Sequence, residues 1–239
     1  MVSKSSASKG LGLTDEEIRF REIAECTGQI VPREDVLRIE PEWRRDDLLG
    51  ICPCRLTYAG EYVAACIGLG IVPEIAREMG FRLPKDPMLR DKAKRSGIRI
   101  PLTVGEVKDE LMDKWEDYGW VHIVFTFGAP YIGGICNCEA PVCLALQKVK
   151  AQQYPTMGPG GVLKSEYIAV VDPDECTGCK KCILMCQFGA IRVVQLTGRA
   201  VVDPVKCTGC GLCRHACEQS AIKLVERSKI PIAVQKWRI

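Results

Sequence analysis

Residues 166–226 carry one cysteine pattern twice. The first copy, VDPDECTGCKKCILMCQFGAI, places Cys176, Cys179, Cys182 and Cys186 at Cys-x-x-Cys-x-x-Cys-x-x-x-Cys; the second, VDPVKCTGCGLCRHACEQSAI, repeats it with Cys207, Cys210, Cys213 and Cys217. Thiolates are soft ligands, and eight of them at this spacing are what two [4Fe–4S] cubanes need, four each. Zinc sites draw their ligands as two pairs per metal rather than as runs of four. Disulfides require an oxidising compartment. The chemistry the pattern points to is one-electron transfer at iron–sulfur clusters.

The repeated stretch resembles the bacterial two-cluster ferredoxins over about a quarter of the chain. The resemblance implies that the first three cysteines of a run grip one cluster while the fourth reaches across to the other. Cys176, Cys179, Cys182 and Cys217 then hold one cluster; Cys207, Cys210, Cys213 and Cys186 hold the second. The family usually has Pro after the fourth cysteine, where this chain has Gln187 and Glu218. Ligation does not depend on that residue, but proline fixes φ and removes an N–H, so the loop after each fourth ligand differs.

Six further cysteines lie earlier, in two groups: Cys52, Cys54 and Cys66, then Cys136, Cys138 and Cys143. Both groups open with Gly-Ile-Cys-x-Cys. Gly and Pro near both pairs predict loops on which the thiols converge. Two groups brought together make a metal staple that binds only once the domain folds. Three readings compete: a third [4Fe–4S] cluster on four of the six, a structural zinc, or unliganded buried thiols. Of the six, Cys54, Cys66, Cys138 and Cys143 are slightly favoured. Cys26, near the end of an expected helix, has no nearby partner and reads as a small buried hydrophobe.

The segments CPCR (52–55), CIGLG (66–70), GWVH (119–122) and ICNC (135–138), followed by EYIAVVDPDECTGC (166–179), resemble the layout of a group of anaerobic bacterial and archaeal 4Fe–4S binding proteins. Those relatives often carry more cysteines after Ile-Cys-Asn-Cys, where this chain has Glu139, Ala140 and Pro141. The resemblance implies electron transfer, often as a small subunit beside a larger catalytic one.

The elements that must position these thiols follow from pattern and caps. Thr14 and Glu17 form a capping box, with Leu13 and Ile18 as its staple, so a helix is expected after residue 13. Residues 32–49 read as short helical turns at the surface. A helix is expected around 61–69, and another from Pro73, with Gly80 past its end. Residues 81–101 are a basic, solvated connection. Thr103 and Glu106 cap a helix over 103–118, with Val104, Val107, Leu111, Trp115 and Tyr118 as its apolar stripe and Gly119 as its stop. WVHIVFTF (120–127) is a buried strand, and His122 within it is a hydrogen-bonded core histidine rather than a ligand. YIAVV, AIRVV, RAVVD and AIKLV supply short strands in the repeated unit. His215, between Cys213 and Cys217, reads as a solvent-exposed spectator.

The expected fold is α+β: a C-terminal two-[4Fe–4S] ferredoxin-like domain after a mostly helical, cysteine-containing N-terminal domain. The divisions are 1–156, a Pro/Gly hinge at 157–165, the dicluster unit at 166–226, and a tail at 227–239 that packs back on the first domain. The 239 residues are 47% hydrophobic and 26% charged, as for a soluble globular protein. A net charge of +3 gives no nucleic-acid footprint. The N-terminus, MVSKSSASKG, has no apolar h-region, and the longest apolar stretch is broken by Gly128, Pro130, Gly133 and Gly134 rather than spanning a membrane. Fifteen cysteines without a signal peptide point to metal in a reducing cytoplasm. No GxGxxG, P-loop, HExxH or nucleophile–base pair stands out. The leading function is an electron carrier or an electron-transfer subunit working with a redox protein partner. The alternatives are an enzyme with a substrate-binding metal in the first domain, and a docking module with redox-silent clusters.

Overall fold

The computed structural model of the chain describes residues 26–39, 48–52, 55, 59–60, 64–68, 108–127, 132–143, 146–147 and 162–234. The expected helices after residue 13 and at 73–79, the connection at 81–101, Cys54, Trp237 and Ile239 lie outside them.

Six strands of the first part form one sheet: β1 (Cys26–Val31), β2 (Leu48–Ile51), β3 (Ala64–Gly68), β4 (Val121–Phe127), β5 (Ile132–Cys138) and β6 (Val162–Leu163), in the order β2-β3-β5-β4-β1-β6. All neighbours are antiparallel except β1 and β6. β4 lies inside the sheet, and its near-continuous apolar run fits burial on both faces: Val121, His122, Ile123 and Val124 are all buried. Two helices, α1 (Arg33–Ile39) and α2 (Lys108–Asp117), add Val36, Met112 and Trp115 to the core of Ile30, Ile123 and Ile135.

A mostly helical first part is not met among the described residues, where strand outweighs helix. Residues 64–68, expected within a helix, form β3 between β2 and β5; pairing on both edges overrides the local preference of AACIG. Cys26 begins a strand rather than lying in a helix. Gly119 does follow the last turn of α2, at φ 74°. Tyr118, however, is 48% exposed, and Met112, at 1%, takes the buried place instead.

The repeated part is built twice over. β7 (Tyr167–Val171) pairs with β10 (Ile222–Glu226), and β8 (Ile191–Val193) with β9 (Ala200–Val202), both antiparallel. Short helices α3 (Lys181–Met185) and α4 (Leu212–His215) carry the third cysteine of each run, Cys182 and Cys213, in their first turn. The two copies cross-brace each other: Asp172 N–H donates to Ala221 O at 2.7 Å, and Asp203 N–H to Ala190 O at 2.7 Å. Each of these aspartates also accepts a backbone N–H two residues on, an Asx turn that starts the cysteine loop.

The two parts share packing. Leu212 is buried in the core of the sheet, and Phe188 and Cys210 pack against it. The described end of the expected hinge, Val162–Leu163, is the edge strand beside β1. The tail turns back through two 3-10 turns, Arg227–Lys229 and Pro231–Val234. Ala233 and Ile230 pack on the core of the repeated unit; the rest of the tail lies outside the described residues. Among the described residues no helix is long and apolar enough to cross a membrane.

Candidate metal centres

Cys-Thr-Gly-Cys opens each thiol loop, and its glycine sets the loop's path. Gly178 and Gly209 have φ of 71° and 76°, the left-handed region that side chains rarely adopt. A Cβ on Gly178 would overlap Gly198 O, and one on Gly209 would overlap Tyr167 O. Only glycine allows the loop to lie this close to the neighbouring backbone.

The loops enclose two cavities, of about 360 and 330 Å³ counting space open to solvent. The first is lined by Cys176, Cys179, Cys182 and Cys217; the second by Cys207, Cys210, Cys213 and Cys186. The fourth cysteine of each run therefore faces the cavity of the other run. Apolar side chains make up much of the remaining walls, with Val171, Ala200, Ala216, Ala221 and Ile222 in the first and Ala169, Phe188, Ala190, Ile191 and Val202 in the second. Ala190 N–H points at Cys186 Sγ (3.3 Å) and Ala200 N–H at Cys176 Sγ (3.5 Å), the kind of contact that tunes a cluster's potential. Four soft donors around an apolar hollow fit a cubane. Among the described residues no group of three or more His, Cys, Asp or Glu side chains is spaced to hold a single metal ion.

Four of these thiols, Cys182, Cys207, Cys210 and Cys213, hold their protons tightly. Burial pushes Cys210 up to about 12. Burial, reinforced by Cys210, Cys207 and Cys186, raises Cys213 further. Burial also raises Cys182 and Cys207. Ligation by thiolate therefore displaces protons, and metal loading grows easier as pH rises.

Arg227 had no signal in the sequence beyond following a strand. It is 8% exposed and donates to Ser165 O (2.7 Å), Tyr167 O (2.7 Å) and Cys207 O (3.0 Å). It pins β7 to the second cysteine loop and places a positive charge beside Cys207.

Five of the six N-terminal thiols come together. Cys66 and Cys136 are directly opposed on β3 and β5, with their sulfurs 3.8 Å apart. Cys66 is held well above its ordinary range by hydrogen bonding with Cys136 and Cys52 and by burial. Hydrogen bonding with Cys143, reinforced by burial and only partly offset by Cys52, pushes Cys138 up to about 12. Cys52 is thus the middle of a string running Cys136, Cys66, Cys52, Cys138, Cys143. The preferred set of Cys54, Cys66, Cys138 and Cys143 is only partly described, and Cys52 and Cys136 stand among its described members. The expected loop at ICNC is a strand, and a loop is unnecessary: residues two apart on a strand share a face. Asn137 between them takes the other face.

Arg55, 5% exposed, lines this thiol group. Its Nη2 donates to Glu139 (2.8 Å), its Nη1 lies 4.0 Å from Cys138 Sγ, and its guanidinium stacks on Trp120 at 4.5 Å. His122 is the buried, hydrogen-bonded core histidine expected, with Nδ1 2.6 Å from Asn137 Oδ1. His215 is not a spectator: Nε2 is 2.8 Å from Asp117 and Nδ1 3.5 Å from the buried Glu116.

Residues 175–222 match the family described as the 4Fe-4S dicluster domain. No curated protein sequence matches the chain. The C-terminal part is therefore a ferredoxin-type iron–sulfur domain, whose general business is electron transfer.

Proposed function

We propose that the chain carries electrons through two [4Fe–4S] clusters, one in each cavity, held by Cys176, Cys179, Cys182 and Cys217 and by Cys207, Cys210, Cys213 and Cys186. The observation that carries this reading is the exchange of the fourth thiol between the loops, which ties the two sites into one unit. The clusters supply the redox change. The chain supplies burial, amide contacts to sulfur and the charge of Arg227. Cys179 is the exposed thiol of the set, so the first cavity is the exchange point for a redox protein partner, such as a larger catalytic subunit of a cytoplasmic, anaerobic oxidoreductase. The second cavity backs onto the sheet through Cys210 and Phe188.

The N-terminal thiols form a third metal centre in this reading, an iron–sulfur cluster in preference to zinc. Five described thiols exceed the four a cubane takes, and the Arg55 guanidinium offsets the negative charge that thiolates bring. The test is a spectroscopic redox titration of anaerobically purified protein. Reversible one-electron reduction of the clusters is expected; clusters that stay silent across the accessible range would remove the electron-carrier reading.

A further inference from the structure

The residue after the fourth cysteine of each run, usually Pro, is Gln187 in the first copy and Glu218 in the second. The two are equivalent by repeat and opposite in behaviour. Glu218 is 71% exposed and pairs with Lys181 at the surface. Gln187 is half-buried and both ends of its amide are used: Nε2 donates to Gly119 O, and Oε1 accepts Ala140 N–H. Gly119 and Ala140 are both buried, where a hydrogen bond is stronger than in water.

These two contacts close a ring. Gly119 is followed by Trp120, whose face carries Arg55. Arg55 holds Glu139 and approaches Cys138. Glu139 O accepts Cys143 N–H at 2.9 Å, and Ala140 returns the path to Gln187. The next residue back from Gln187 is Cys186, on the wall of the second cavity. One side chain thus links the turn between Cys138 and Cys143 to a thiol of the dicluster unit.

We propose that Gln187 is the joint that couples the N-terminal thiol site to the second cavity, so that metal loading of that site sets the potential of the neighbouring cluster. It rests on reading the N-terminal thiols as a metal centre. Gln187 is a positioning residue: a change in the 139–143 turn moves Ala140 N–H, and through the amide moves Cys186. Coupling of this kind is reciprocal, so reduction of the second-cavity cluster also changes metal affinity at the N-terminal site.

The test is a double-mutant cycle read in potentials. The full chain is prepared anaerobically as wild type, Cys143→Ser, Gln187→Met and the pair. Gln187→Met keeps length and packing while removing both hydrogen bonds. Gln187→Pro, the residue usual at this place, is the second variant should Met disturb folding. Iron, sulfide and zinc are counted in each, and the two C-terminal potentials are titrated. Expected is that Cys143→Ser lowers metal content and shifts one C-terminal potential, and that the same substitution shifts neither in the Gln187→Met background. An equal shift in both backgrounds, or metal loss with no shift in wild type, overturns the joint. Should wild type hold no metal beyond the eight irons of two cubanes, the third-centre reading fails and takes the joint with it, and the metal count identifies that failure.

Discussion

Replacing Gly209 with alanine tests whether the cysteine loops need glycine for conformation or for space. The φ of 76° costs an L-residue about 1–2 kcal/mol, partly returned by about 0.4–1 kcal/mol from the stiffer unfolded chain. The second term is steric. The new Cβ would overlap Tyr167 O and sit 2.8 Å from Ser165 Cβ. Tyr167 O is also a partner of Arg227 (2.7 Å), so moving it sacrifices a partly buried charge-assisted bond worth about 1.5–3 kcal/mol. The sum is about 3 kcal/mol, within a span of about 1.5–4.5 kcal/mol. Gly198 is the internal control: its φ is 66°, yet a Cβ there meets nothing within 4 Å, so Gly198→Ala keeps only the conformational term of about 1 kcal/mol. The assay is the midpoint of cluster loss in guanidinium under anaerobic conditions, followed in the visible region. Gly209→Ala should fall below Gly198→Ala by about 2 kcal/mol or more, or fail to hold clusters. Equal midpoints for the two variants would refute the steric argument.

Arg227→Met removes the donor from three backbone carbonyls and should destabilise the chain by about 3 kcal/mol. It also removes positive charge beside Cys207, so the second-cavity potential should become more negative in titration while the first stays in place. For Glu116, burial raises the carboxyl's pKa, but His122, Arg33 and His215 together outweigh it and hold it below the ordinary value. A depressed folded pKa gives stability that is complete above the unfolded value of about 4.3 and is lost as pH falls through the folded one. Glu116→Gln should therefore cost about 1–3 kcal/mol at neutral pH. The gap from wild type, read by tryptophan fluorescence in denaturant, should close below about pH 4; a constant gap would contradict this linkage.

The dicluster unit was legible because its chemistry is written locally. Thiol spacing, the Cys-Thr-Gly-Cys turn and the short alternating strands all lie within a few residues of one another, and the strands fall where expected. The sheet was much less so. AACIG has no strand signal of its own and becomes β3 only because β2 and β5 flank it. The N-terminal thiols were recognised as a group, but their membership depends on which strands pair; the opposition of Cys66 and Cys136 is a register fact that no local pattern contains. Arg55, Glu116 and Arg227 look like surface charges in sequence and are all buried, because each has a partner 60 or more residues away: Glu139, His215 and Ser165. Gln187 was visible only as a missing proline, and its meaning waited on Gly119 and Ala140.

The central claim is that the repeated thiols hold inorganic clusters rather than single ions. Iron, acid-labile sulfide and zinc per folded chain, counted on anaerobically purified protein, address it directly. The account predicts at least about eight irons with as many sulfides, and about twelve of each when the N-terminal centre is also a cubane. A properly folded chain that carries zinc and no labile sulfide would contradict it.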